Sequence, residues 1–171
     1  MDRPETSEPA AGGPRRLLVM GVGGSGARAV AAMHRQCPGL DAVLVDTDAG
    51  ELEALPDVDT IPLGGVVTNG LSAGGDVELG RQSIERNSSA VRNRLRDVDL
   101  MIVVAGLGRG TASGAVPVVV RLARGSGALV LCMLTMPFAF EGRRIGRVAE
   151  EALKRIRTHA DAVVRISNER L

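Results

Sequence analysis

Two glycine-rich runs in this 171-residue chain have the make-up of anion cradles. The first, Gly21-Val22-Gly23-Gly24-Ser25-Gly26, follows the apolar run Leu17-Leu18-Val19-Met20 and opens a helical stretch. A strand that turns through glycines into a helix leaves the first backbone N–H groups unpaired at the positive end of the helix dipole, and a phosphate satisfies both. Gly21, Gly23 and Gly26 also fit G-x-G-x-x-G, with Asp46 about twenty residues further on, so this run by itself reads as a dinucleotide (NAD) fingerprint. Close packing of the helix on the sheet would call for the same glycines. The second run, Gly106-Leu107-Gly108-Arg109-Gly110-Thr111-Ala112-Ser113-Gly114, follows the apolar segment Leu100 to Ala105 and enters another helix. It adds a second set of amides and two hydroxyls. A dinucleotide site uses one such loop, whereas a nucleoside triphosphate has use for two. There is no G-x-x-x-x-G-K-[ST], so a lysine P-loop is not the source of phosphate binding.

The elements that must carry these runs alternate along the chain. Apolar strand segments are expected at Leu17–Met20, Ala42–Val45, Leu100–Ala105, Ala128–Leu134 and Ala162–Ile166, with a weaker one at Val58–Leu63. Helices are expected near Gly26–Gln36, Val77–Arg96, Ala112–Arg124 and Gly142–Thr158, and the glycine-dense stretch Gly64–Gly75 is a loop. Strands that are apolar throughout are buried on both faces and need helical crossovers. The fold class is therefore α/β: a doubly wound, mainly parallel sheet of about six strands with helices on both faces, Rossmann-like. The loops beginning at Gly21, Asp46, Gly106 and Thr135 then share the carboxyl rim of the sheet. Residues 1–14, rich in Pro, Gly, Glu and Ala, are expected to be a disordered tail, leaving 15–171 as one domain.

Composition excludes several classes. With 21 basic and 20 acidic residues the formal charge is +1, which gives no field for nucleic acid, and two Phe with no Tyr or Trp leave no stacking platform for single strands. A base pocket would have to use Phe138, Phe140 or aliphatic walls. No apolar run approaches a membrane span. Cys37 and Cys132 lack CxxC spacing and a secretory signal, so a soluble, cytoplasmic protein with reduced thiols is expected. His34 and His159 read as helix-surface residues, and the i,i+4 pairs Glu150/Lys154 and Glu151/Arg155 as support for a solvated helix face.

Taken together, the motifs resemble the tubulin/FtsZ family of GTPases. Gly108–Gly114 is similar to the signature G-G-G-T-G-[ST]-G, Gly21–Gly26 to the family's first loop, and Asp46-Thr47-Asp48-Ala49 to its Asn-Thr-Asp-Ala. Gly70-Leu71-Ser72-Ala73-Gly74-Gly75 resembles the third loop, and Thr135-Met136-Pro137-Phe138-Ala139-Phe140-Glu141-Gly142 resembles Thr-Lys-Pro-Phe-x-Phe-Glu-Gly, which favours FtsZ over tubulin. The resemblance runs from about Arg15 to Leu171. It implies GTP/GDP as ligand, Mg2+ as a companion of the triphosphate, a role in cell division, and self-association or FtsZ-like partner subunits. It also implies roles for single residues. Gly23, Gly24, Ser25 and Gly26 would wrap phosphates, and Gly108, Arg109, Gly110, Thr111, Ala112, Ser113 and Gly114 would hold the β- and γ-phosphates, Thr111 through its hydroxyl, with Gly106 also among the nucleotide-binding residues. Ala73 and Gly74 would sense the γ-phosphate, Glu141 would bind ribose, and Asn168 would lie near base and ribose.

Several positions depart from the pattern. Arg28 and Asp46 stand where the family has nucleotide-contacting Asn, and Ile145 where it has Arg. Arg109 and Ala112 replace glycines of the signature, where a side chain could crowd a phosphate or demand a backbone angle that suits only glycine. Arg28 and Arg109 could instead bring positive charge to phosphate oxygens. The sequence closes at Leu171, before the central helix and second domain of the family, where the guanine-reading Asp and the acidic loop that completes hydrolysis lie. On that reading no catalytic residue is assigned, the chain alone binds nucleotide with little turnover, and alternatives are an NAD-binding oxidoreductase domain or a non-polymerising regulatory relative.

Overall fold

The computed structural model describes residues 15–55 and 57–170, so the tail expected at residues 1–14 lies outside the described residues. Six strands, β1 (Leu17–Val22), β2 (Ala42–Asp46), β3 (Asp59–Pro62), β4 (Leu100–Gly106), β5 (Leu129–Met136) and β6 (Ala162–Ser167), form one sheet in the order β3-β2-β1-β4-β5-β6. Every neighbouring pair is parallel, so the sheet expected to be mainly parallel is wholly so. The strand order reverses between β1 and β4, and these two run in register from Leu17↔Leu100 to Val22↔Ala105. Their carboxyl ends are therefore level. That register sets the two glycine runs side by side at the switch point, where open α/β sheets form a crevice.

The crossovers are α1 (Gly23–Gln36), α2 (Ala49–Glu53), α3 (Val77–Arg86), α4 (Ser88–Arg94), α5 (Gly110–Gly125) and α6 (Arg143–Arg157). The stretch expected as one helix from Val77 to Arg96 breaks at Asn87, whose side chain donates to the Leu63 and Ser83 carbonyls and so withdraws from helix continuation. The short α2, not expected from the sequence, is started by Asp48, which accepts from the Glu51 N–H at 3.2 Å.

The two sheet faces are covered unequally. The α3–α6 layer packs on Leu18, Met20, Val22, Met101, Val103, Val130, Cys132 and Leu134, all at most 1% exposed. The other face carries α1 and α2 over Val19, Leu44 and Ala42. Past β4 that face has no helix among the described residues, so Leu131 and Met133 are only half-buried and Leu129 and Val164 are exposed. The expectation of strands buried on both faces thus holds for β1 and β2, while β4 and β5 alternate between buried and less buried residues and β6 stands open. An apolar sequence cannot say which strand is central.

Other expectations change in detail. Glu150 pairs across to Arg165 at 2.6 Å rather than to Lys154 one turn on. His34 lies on α1 with its Nδ1 3.1 Å from the Leu40 carbonyl, and His159 follows α6 with its Nδ1 2.5 Å from Thr158 Oγ1. Burial on β5 pushes the Cys132 thiol up to about 12, which keeps it protonated and inert.

Candidate functional site

A cavity of about 390 Å3 opens over the carboxyl ends of β1, β2, β4 and β5. Its floor is built from two helix starts. β1 ends at Val22, Gly23 turns the chain with φ +73°, and α1 begins at once; a Cβ on Gly23 would come within 3.3 Å of Ala112 Cβ, so the start of α1 abuts the start of α5. The N-cap residues of both helices make no side-chain capping bond. The first amides of two helices therefore face one space, with both dipoles favouring an anion there.

The second loop is held by its own side chains. Gly108 takes φ +113°, and its N–H donates to Ser113 Oγ at 2.9 Å, while the Leu107 N–H donates to the Thr135 carbonyl at 2.9 Å. A Cβ on Gly108 would strike Ile145 Cγ2 at 2.6 Å, so the apolar Ile145 closes the back of the loop. Arg109 sits in ordinary extended backbone at φ −112° and Ala112 lies inside α5, so neither replacement of a signature glycine strains the chain. The left-handed angle falls on Gly108 instead.

The third loop joins this wall through a threonine. Thr47, wholly buried after β2, has its Oγ1 2.8 Å from Thr111 Oγ1 and accepts from the Ala73 N–H at 3.1 Å. Asp46, 4% exposed, accepts from the Thr47 N–H at 2.7 Å. Burial raises the Asp46 carboxyl above its usual range of 3.8, against the backbone bonds from Asp48 and Thr47 that favour the charge.

At the opposite end, the 3-10 turn Ala139–Glu141 follows β5, and Glu141 Oε1 accepts from the Phe138 N–H at 3.0 Å. Glu169, in the 3-10 turn Asn168–Arg170 after β6, accepts from the Ala139 N–H at 2.7 Å and so draws Asn168 to the same end. Two arginines stand at the mouth. Arg28 pairs with Glu51 of α2 and lays its guanidinium over Gly24, and Arg109 NH2 stands 3.6 Å from Glu141 Oε2.

Of the residues singled out in the sequence, Gly23, Gly24, Ser25, Arg28, Asp46, Gly74, Gly106, Arg109, Gly110, Thr111, Ala112, Glu141 and Asn168 line this one cavity. Gly26, Ala73, Gly108, Ser113 and Gly114 stand behind it. A Cβ on Gly26 would meet the Val104 carbonyl at 2.2 Å, and one on Gly114 the Val77 carbonyl at 2.2 Å; these glycines serve close helix packing. Ser113 and Ala73 brace the loops from inside. Phe138 and Phe140 stack on each other, with centroids 5.0 Å apart, and are not among the lining residues, so of the two walls the sequence offered a base, aromatic or aliphatic, the aromatic one is not part of this cavity. Asp48, Glu51, Ser72, Gly75, Leu107, Thr135 and Pro137 also line the cavity. Most of these lay in quoted motifs; Glu51 enters through the unexpected α2.

Comparisons with known proteins agree with this geometry. A model of the tubulin/FtsZ family, GTPase domain, matches residues 16–171. The chain is 36% identical over 156 residues to the cell division protein FtsZ of Wigglesworthia glossinidia brevipalpis, covering 91% of this chain and 41% of that protein. Among solved structures it is similar to an empty FtsZ dimer of M. jannaschii, with TM-score 0.88 and 31% identity over 92% of this chain and 46% of that one. It is also similar to CetZ2 from Haloferax volcanii in a GTPγS-bound protofilament, with TM-score 0.79 and 34% identity over 90% of this chain and 49% of that one. The chain thus spans less than half the length of these relatives. The FtsZ likeness overturns the NAD oxidoreductase alternative suggested by the first glycine run: the strand-glycine-helix turn is shared by both families, and the second loop is what separates them. With the signature loop, the cavity at the switch point and the match over residues 16–171 in hand, the chain belongs to the tubulin/FtsZ family, GTPase domain.

Proposed function

We propose that the chain binds GTP and GDP across the rim of its sheet, as the nucleotide-binding part of an FtsZ-like cytoplasmic cell-division GTPase. The observation that carries this reading is the meeting of two uncapped helix starts, at Gly23 and Gly110, in one cavity whose far end holds Glu141 and Asn168. A chain of phosphates lies on the amides of Gly24, Ser25, Gly110, Thr111 and Ala112. The ribose hydroxyls donate to Glu141, and Asn168 lies beside them. The last phosphate faces Ser72, Gly74 and Gly75.

Among the described residues no group of three His, Cys, Asp or Glu side chains could hold a metal ion. Mg2+ is placed with the triphosphate, held mainly by phosphate oxygens and water, as this cation prefers. No helix among the described residues is long and apolar enough to cross a membrane. The CetZ2 relative bound GTPγS within a protofilament, which supports assembly with FtsZ-like subunits as the setting for turnover. No side chain of this cavity forms a nucleophile and base pair, so hydrolysis by this chain alone is slow and depends on groups brought by a neighbouring subunit.

Equilibrium dialysis against GTP, GDP and NAD tests the reading. Saturable binding of both guanine nucleotides with none of NAD is expected. Binding of NAD alone, or of no nucleotide, refutes it.

A further inference from the structure

The cavity carries one cation poised between two anionic positions. Arg109 is the N-cap of α5, its side chain is 79% exposed, and its contact with Glu141 at 3.6 Å bridges the mouth from the loop after β4 to the turn after β5. The partners differ in freedom. The Glu141 side chain is 20% exposed and tied through its other oxygen to the Phe138 N–H, whereas Arg109 has no further charged partner among the described residues. The arginine is the less constrained member of the pair.

Its alternative position follows from the backbone. A Cβ on Gly110 would meet Ala73 Cβ at 2.9 Å and the Asp76 N–H nitrogen at 2.9 Å, so the third loop abuts the first residue of α5. Ser72, Gly74 and Gly75 line the same cavity as Arg109 and Gly110, so an anion on that wall would lie near the helix start that Arg109 precedes. An exposed, single-contact ion pair is weak, whereas a guanidinium on a phosphate makes paired, charge-assisted bonds.

We infer that Arg109 is a specificity-determining residue with two positions, on Glu141 when no terminal phosphate is present and on the third phosphate when a nucleoside triphosphate binds. The inference rests on the nucleotide reading above. With a triphosphate bound, the exchange leaves Glu141 Oε2 to the ribose hydroxyls without competition from Arg109. With a diphosphate, Arg109 stays on Glu141 and contests the sugar end. The residue thereby sets a preference for triphosphate over diphosphate.

Isothermal titration calorimetry of the full 171-residue chain, which has no Trp or Tyr to report binding by fluorescence, with GDP and with the non-hydrolysable GTP analogue GMPPCP, with Mg2+, tests this. In R109A, GMPPCP binding weakens about tenfold while GDP binding is unchanged or tighter, so the ratio of the two affinities falls about tenfold or more. R109K restores part of the ratio, because a point charge reaches the phosphate without the paired geometry. A change of both nucleotides by the same factor in R109A, in either direction, overturns the inference while leaving the nucleotide reading intact. Wild-type protein that binds neither nucleotide overturns both.

Discussion

Thr47 and Thr111, 64 residues apart in sequence, place their buried hydroxyl oxygens 2.8 Å from each other, and the same Thr47 oxygen accepts the Ala73 N–H. One side chain thus joins the loop after β2, the start of α5 and the third loop. Thr47→Val keeps the shape but leaves the Ala73 amide without its acceptor and removes the Thr47 partner of the Thr111 hydroxyl. It is expected to cost about 1–3 kcal/mol in urea unfolding and to weaken triphosphate binding, because the third loop loses its anchor.

Gly26 is a packing residue within a run that reads as a phosphate loop. A methyl at this position would lie 2.2 Å from the Val104 carbonyl, and backbone on both sides leaves little room to yield. Gly26→Ala is expected to destabilise by about 1–3 kcal/mol, seen as a lowered thermal midpoint by circular dichroism. Gly24→Ala meets only the end of the flexible Arg28 side chain and is expected to leave the midpoint nearly unchanged.

Asp46 puts a buried carboxyl on the wall of a cavity that we assign to phosphates. Its folded pKa is raised by burial, so the folded chain binds the proton more tightly than the unfolded one, and stability falls as pH rises from the unfolded value of 3.8 through the raised folded value. Asp46→Asn keeps an acceptor for the Thr47 N–H and removes the charge. At neutral pH the variant is expected to be more stable and to bind nucleotide about fivefold tighter, from about 1 kcal/mol of relieved repulsion. The stability gain disappears below pH 3.8. Urea unfolding and nucleotide titration across pH check both.

Asp41 shows the opposite sign. Partial burial alone would raise its pKa, but hydrogen bonds from Arg94 and Arg16 outweigh this and hold it below 3.8. Its stabilising contribution is present above the unfolded value and is lost as pH falls through the folded one. Asp41→Asn is expected to cost about 1 kcal/mol at neutral pH, given the half-exposed setting, and the difference from wild type should close in acid.

The sequence by itself determined the local chemistry. Each apolar run read as a strand became one, each glycine run entered a helix, and the second run at Gly106–Gly114 pointed past a dinucleotide to a triphosphate. These features depend on neighbours in the chain, through backbone freedom and unpaired amides, so they are legible residue by residue.

Tertiary structure decided what those residues do. The parallel register of β1 and β4 brings Gly23 against Ala112, and packing assigns Gly26 and Gly114 to helix contacts rather than to the cavity wall. The Arg109–Glu141 pair and the Thr47–Thr111 bond join loops far apart in the chain. No local pattern encodes them, because each depends on strand order and on where two separate crossovers end.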